Sequence, residues 1–131
     1  MNKIGIMGGG VWGTALAKIL SKNRVTIYAR DVKTVDSINN HKFNPKLKYV
    51  IFNENVQSTL DIRDLQNTDY LFIALPAQNI REVLTTYKFT NSKKKIIIAS
   101  KGIEINSCLF LSQVIKKIIN SKNISIISGP C

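Results

Sequence analysis

The sequence predicts a doubly wound α/β domain of six parallel strands in the order 3-2-1-4-5-6, with helices on both faces. Three observations point there. Short apolar runs recur along the chain, most of them closed by glycine or proline and followed by residues at helical spacing, the alternation that builds a parallel sheet. Residues 69–75 and 95–99 form runs that are largely apolar, as strands covered on both faces are. Between the first apolar run and the first helical segment, Gly8, Gly10 and Gly13 stand in G-x-G-x-x-G spacing, which puts a ligand at the C-terminal ends of the strands. At 131 residues, 44% of them hydrophobic and 21% charged, the chain is long enough for one globular domain with one core.

The first strand is Lys3-Ile-Gly-Ile-Met7, and the helix after it takes Thr14 to Leu20, ending near Ser21-Lys22-Asn23. A strand, a glycine turn and a helix without a gap are the context that the dinucleotide-binding (Rossmann-type) fingerprint requires. Gly8 serves the tight turn, Gly10 the close approach of backbone to a pyrophosphate, and Gly13 the packing of helix on strand. The helix N-terminus then offers free N–H groups and a positive dipole end to phosphate.

Arg24 to Ala29 alternates as a second strand and ends in Arg30-Asp31. At this position an acidic residue accepts from the ribose 2′-hydroxyl of NAD, whereas an arginine pairs with the 2′-phosphate of NADP. The chain has both, with Arg30 first and Lys33 close behind, which favours NADP(H) over NAD(H). Val32 to Asn40 follows as a helix capped by Asp31. Residues 41–54 are less regular; His41, the only histidine, has no nucleophile or carboxylate partner nearby and reads as a loop residue. A weak third strand at Val56–Thr59 leads to a short helix near Asp61–Gln66.

The fourth strand, Asp69 to Leu75, is stopped by Pro76; Gln78 to Tyr87 is helical, with Ile80, Val83, Leu84 and Tyr87 on one side. The fifth strand, Lys95 to Ser100, ends in Lys101-Gly102. Leu109 to Ile119 is a helix with Leu109, Val114, Ile115 and Ile118 on its apolar face and Cys108, near its start, read as buried filler. Ile124 to Ser128 is the last strand, running into Gly129-Pro130-Cys131.

Lys+Arg 19 against Asp+Glu 8 gives a formal charge of +11, a field that attracts nucleotides, phosphorylated metabolites and nucleic acid alike. The run Lys93-Lys94-Lys95 reads as a solvated loop before a strand. No aromatic interleaving or nucleic-acid motif accompanies the charge. Two cysteines, Cys108 and Cys131, make neither a metal-ligand spacing nor a disulfide framework, so a reducing cytoplasm is expected and no metal site. The N-terminus is not a signal peptide, and no apolar run approaches the ~20 residues of a membrane span.

Several segments together, in order and across the whole chain, resemble one family, the bacterial NAD(P)-dependent glycerol-3-phosphate dehydrogenases, over the N-terminal domain. They are Gly8-Gly-Gly-Val-Trp-Gly-Thr-Ala-Leu-Ala17, Tyr28-Ala-Arg-Asp31, Asn44-Pro45 with Tyr49, Pro76-Ala-Gln-Asn-Ile-Arg-Glu-Val-Leu84, Ser100-Lys-Gly-Ile-Glu104 and Ser128-Gly-Pro130. The resemblance implies hydride transfer between sn-glycerol 3-phosphate and dihydroxyacetone phosphate, which supplies a glycerophospholipid precursor. It implies cofactor contacts at Val11 and Trp12 beside the three glycines, at Arg30, at Pro76 and at Lys101, and substrate contacts at Lys101 and Gly129.

Independently, a lysine at the C-terminal end of a central strand can reach a phosphate or polarise a carbonyl oxygen. The chain departs from the family pattern at Val11, where a serine is usual, after Tyr49, where Leu-Pro-Gly is usual, and at Cys131, where Ser or Thr is usual. The resemblance places a helical C-terminal domain with the general acid/base lysine after this point. These residues alone are therefore expected to bind NADP or NAD without turnover, with a C-terminal partner half or a homo-oligomer as the further partner. A non-catalytic NAD(P)-binding remnant is the alternative.

Overall fold

The computed structural model describes residues 1–88, 94–119 and 121–127. Its elements are β1 (Lys3–Met7), α1 (Val11–Ile19), β2 (Arg24–Tyr28), α2 (Val32–His41), β3 (Phe43–Asn44), β4 (Leu47–Ile51), β5 (Val56–Thr59), a 3-10 helix (Ile62–Leu65) and β6 (Tyr70–Ile73). A second 3-10 helix (Ala77–Asn79), α3 (Ile80–Thr86), β7 (Lys95–Ile98), β8 (Ile103–Glu104), β9 (Leu109–Phe110), α4 (Leu111–Ile118) and β10 (Ile124–Ile126) follow.

Six strands form one parallel sheet in the order β5-β2-β1-β6-β7-β10. In the numbering of the sheet strands alone this is 3-2-1-4-5-6, the expected topology. β1 lies at the centre, with Ile6 opposite Ile27 of β2 and Phe72 of β6.

Successive side chains of the central strands enter two different cores, the consequence of a period of two in a sheet covered on both sides. Ile4, Ile6, Phe72 and Ile97 face Leu16, Ala17 and Ile38 of α1 and α2. Met7, Leu71, Ile73, Ile96 and Ile98 face Ile80, Val83 and Leu84 of α3 and Leu111 and Ile115 of α4. Each fully buried aliphatic side chain contributes about 1.5–3 kcal/mol, so the apolar runs are where the stability of the fold is concentrated.

In several places the structure differs in detail from expectation. The irregular stretch after α2 contains an antiparallel hairpin, β3–β4, and His41 is the last helical residue of α2 rather than part of a loop. The short helix expected near Asp61–Gln66 is present as the 3-10 helix Ile62–Leu65, capped by the Asp61 carboxylate. A second hairpin, β8–β9, takes Leu109 and Phe110 out of the last helix, which begins at Leu111. The Phe110 N–H donates to Gln113 Oε1 at 2.9 Å instead of continuing the helix backwards. Cys108 is exposed and not buried filler, because it occupies the left-handed region (φ 59°) in the hairpin turn, outside the helix.

Lys94 also differs from a solvated loop residue. It is 3% exposed, and its Nζ donates to the Leu65 and Gln66 carbonyls at 2.5 and 2.6 Å, at the end of the first 3-10 helix. Lys93 lies outside the described residues. Among the described residues no helix is long and apolar enough to cross a membrane.

Candidate functional site

The glycine turn joins β1 to α1 at the C-terminal edge of the sheet. Gly8 has φ 134°, and a Cβ there would stand 2.5 Å from the Ala74 carbonyl oxygen, so neither the conformation nor the space admits a side chain. Gly13 packs α1 onto the turn so closely that a Cβ would meet the Gly8 carbonyl oxygen at 2.1 Å. Gly10 differs: nothing lies within 4 Å of the place its Cβ would take. It is the N-cap of α1, with no side-chain cap and no acidic residue in the first turn, so the first N–H groups of the helix open onto space instead of being closed by a side chain.

That space is a cavity of about 790 Å³. Its walls bring together Gly8, Gly10, Val11, Trp12, Gly13, Arg30, Pro76 and Lys101, eight positions that are spread over most of the chain. Gly129 falls outside the described residues. The sheet order accounts for this convergence: the ends of β1, β2, β6 and β7 are neighbours, so the residues following each strand share one rim.

Trp12 ties two of these ends together, its indole N–H donating to the Ala99 carbonyl at 2.9 Å across 87 residues. Ser100 adds a second tie, its single hydroxyl proton directed at the Leu75 carbonyl at 2.5 Å with the Ile73 carbonyl also in reach at 3.1 Å. Lys101 follows directly, exposed at the rim.

At the other end of the cavity stand Tyr28, Arg30 and Asp31. Burial pushes the Tyr28 phenol above its ordinary pKa and Tyr87 adds to the rise, while the adjacent Arg30 guanidinium opposes it. The Asp31 carboxylate caps α2, Oδ1 accepting from the Lys33 N–H at 3.1 Å and Oδ2 from the Thr34 hydroxyl at 3.0 Å. Those two bonds, Thr34 first, hold its carboxyl below the usual range, and the charges of Lys46 and Lys33 add to the effect.

Two residues of this site escaped reading from the sequence. Asn44 is fully buried: its Nδ2 donates to the Gly9 carbonyl at 2.8 Å and to Thr14 Oγ1 at 2.7 Å, and Thr14 in turn donates to the Gly10 carbonyl at 2.7 Å. The β3–β4 hairpin thereby holds the glycine turn from outside the β1–α1 unit. Lys46, in the hairpin turn, lines the cavity beside Asp31. The Asn44-Pro45 dipeptide was the one local signal there, and it marks a turn without saying what the turn touches.

Comparison with known proteins agrees with this geometry. A family profile described as the N-terminus of NAD-dependent glycerol-3-phosphate dehydrogenase matches residues 3–131. A glycerol-3-phosphate dehydrogenase [NAD(P)+] of Neorickettsia sennetsu is 39% identical over 130 residues, which cover 95% of this chain and 39% of that protein. A protein of the same name from Zymomonas mobilis is 37% identical, covering 97% and 37%. The crystal structure of glycerol-3-phosphate dehydrogenase from Coxiella burnetii superposes with a TM-score of 0.87 at 26% identity, over 98% of this chain and 41% of that one. The chain thus spans about two fifths of the length of these relatives. With the profile covering nearly every residue and the glycine turn, Trp12 and Lys101 on one rim, the chain belongs to the NAD-dependent glycerol-3-phosphate dehydrogenase N-terminus family.

Proposed function

We propose that residues 1–131 act as one NAD(P)-binding domain for the interconversion of sn-glycerol 3-phosphate and dihydroxyacetone phosphate. The observation that carries this reading is the uncapped N-terminus of α1, which opens with Gly10 onto a cavity whose far rim holds Lys101. Unsatisfied N–H groups at a helix N-terminus are an anion site, and the room beside Gly10 suits a pyrophosphate. The bound nicotinamide would supply the hydride acceptor or donor.

The roles of the chain's own residues follow from their positions. Gly10 and Val11 present backbone to the pyrophosphate, Gly8 and Gly13 shape and pack the turn that holds them, and Trp12, held by Ala99, walls the cavity between turn and β7. Pro76 borders the cofactor at the end of β6. Arg30 pairs with a 2′-phosphate, which favours NADP over NAD. Lys101 reaches the substrate phosphate or carbonyl oxygen, where a fixed positive charge stabilises developing negative charge; a substrate contact at Gly129, outside the described residues, rests on the family resemblance alone. The proton donor and most of the substrate-orienting groups belong to the part of the matched relatives that residues 1–131 do not span.

The test is calorimetric titration of NADPH and NADH, paired with NADPH oxidation by dihydroxyacetone phosphate. The 131-residue chain is expected to bind both cofactors, with Arg30→Ala weakening NADPH by about 1.5–3 kcal/mol and NADH much less. It is expected to show no turnover alone, because general acid catalysis worth about 10²–10⁴-fold and substrate positioning are missing. Turnover should appear with a supplied C-terminal half. Failure to bind either cofactor would sink the reading; appreciable turnover by the chain alone would place a proton donor within it, with Lys101 the first residue to replace.

A further inference from the structure

The adenosine end of the cavity presents a contradiction in sign. A carboxylate at the end of the second strand of such a sheet ordinarily accepts from the ribose 2′-hydroxyl and repels a 2′-phosphate. Asp31 occupies that place, yet the same wall holds two cations, Arg30 and Lys46.

The hydrogen bonds resolve the contradiction. Both Asp31 oxygens are engaged by the first turn of α2, one by the Lys33 N–H and one by the hydroxyl of Thr34, which is 1% exposed. The orientation of the carboxylate is therefore set by the helix it caps and not by the cavity. Lys46 arrives from a different part of the chain and its backbone is held: its N–H donates to Asn44 Oδ1 at 3.0 Å, while the amide group of the same buried Asn44 grips the Gly9 carbonyl and Thr14. The turn that carries Lys46 is thus bonded to the turn proposed to hold the pyrophosphate. Lys46 is also close enough to Asp31 for its charge to be felt by the carboxylate. Arg30 and Lys46 against Asp31 leave one net positive charge on the cavity lining, and Lys33, close enough to act on Asp31, adds a second nearby, set against a phosphate monoester of about −1.5 to −2 at neutral pH.

We propose that Lys46 is a specificity-determining residue, the second cationic partner with Arg30 for a 2′-phosphate on the adenosine ribose, and that Asp31 is withdrawn from ribose recognition by capping α2. This rests on the reading of the cavity as a dinucleotide site. Asn44 is the positioning residue, acting through the hairpin turn.

Calorimetric titration of NADPH, NADH, 2′,5′-ADP and 5′-AMP separates the 2′-phosphate from everything else in the cofactor. The proteins are the chain itself, Lys46→Met, Asp31→Asn, which retains a capping side chain, and Lys22→Met, an exposed lysine beyond the end of α1 that lowers net charge by the same amount. Lys46→Met is expected to weaken NADPH and 2′,5′-ADP about tenfold, the loss of one charge-assisted contact. NADH and 5′-AMP should change less than twofold, which also shows that the variant is folded. Lys22→Met should leave the preference for the 2′-phosphate intact, and Asp31→Asn should leave NADH binding intact.

Equal losses for all four ligands, unchanged 2′,5′-ADP binding by Lys46→Met, or a tenfold loss of NADH by Asp31→Asn would each overturn the assignment while the dinucleotide reading stands. A chain that binds none of the four ligands overturns both.

Discussion

Gly10 and Gly13, three residues apart, make opposite demands on the same turn. At Gly13 an added methyl group would face the Gly8 carbonyl oxygen at 2.1 Å, backbone against backbone, and relief requires α1 to move away from β1. Gly13→Ala is therefore expected to cost about 1–3 kcal/mol of stability, the range for overpacking, and to weaken NADPH at least tenfold as the helix N-terminus shifts. At Gly10 the methyl group meets no protein atom within 4 Å, so Gly10→Ala should melt near the parent temperature and lose cofactor affinity alone, the methyl standing where the pyrophosphate approaches. Thermal melts with cofactor titrations on both variants check this pair. A Gly10→Ala protein that binds NADPH like the parent would show that the cofactor does not pass over Gly10.

Short elements are held here by side chains from distant strands. Lys94, one residue before β7, donates to the last carbonyls of the 3-10 helix at Leu65 and Gln66, where a cation is favoured by the exposed carbonyl ends. Burial nonetheless pulls its pKa down from 10.5 to about 8, with the Asp69 charge opposing. Below pH 8 both folded and unfolded chains carry the proton, and the folded state bears the full cost of a buried ammonium. Between pH 8 and 10.5 the folded state has released its proton and the unfolded chain has not, so this residue's contribution to stability rises with pH, by at most about 1.4 kcal/mol per unit.

Tyr28, with its raised pKa, pulls the other way above pH 10. The measurement is therefore the difference between parent and Lys94→Met in urea unfolding from pH 7 to 10.5; a constant difference across that range would contradict the assignment. The β8–β9 hairpin shows the same device. Arg81 of α3 forms a two-pronged pair with Glu104 at 2.8–3.1 Å, and Gln78 bonds the backbone of both Ile103 and Ile105 at 2.9–3.0 Å. The segment following Lys101-Gly102 is thereby clasped to the start of α3.

Over the whole molecule, apolar side chains remain uncovered beside the site. Phe110, Ile126 and Ile127 line a second cavity of about 440 Å³ that shares Ser100 and Lys101 with the first, and Phe110 and Ile126 are 65% and 61% exposed. β10 is also an edge strand. Exposed apolar surface next to unpaired strand backbone favours association, so sedimentation velocity should show self-association growing with concentration and reduced in Phe110→Ser. A chain monomeric at high concentration would count against it.

The sequence by itself determined the parallel sheet, its strand order and the glycine turn. These depend on period-two apolar runs, on helical spacing and on one local motif, all of which are written in consecutive residues. Arg30 and Lys101 were legible as candidates from their places just past strand ends, and Pro76 only from the family resemblance; all three line the cavity because the ends of neighbouring strands share one rim. The tertiary structure alone decided what depends on partners far away in the chain: Asn44 reaching Gly9 across 35 residues, Arg81 reaching Glu104 across 23, and Lys94 reaching Leu65 across 29. A side chain that satisfies a distant carbonyl or carboxylate leaves no periodicity behind. The same holds for Lys46, whose place in the cavity comes from a hairpin that only the buried Asn44 fixes against the glycine turn.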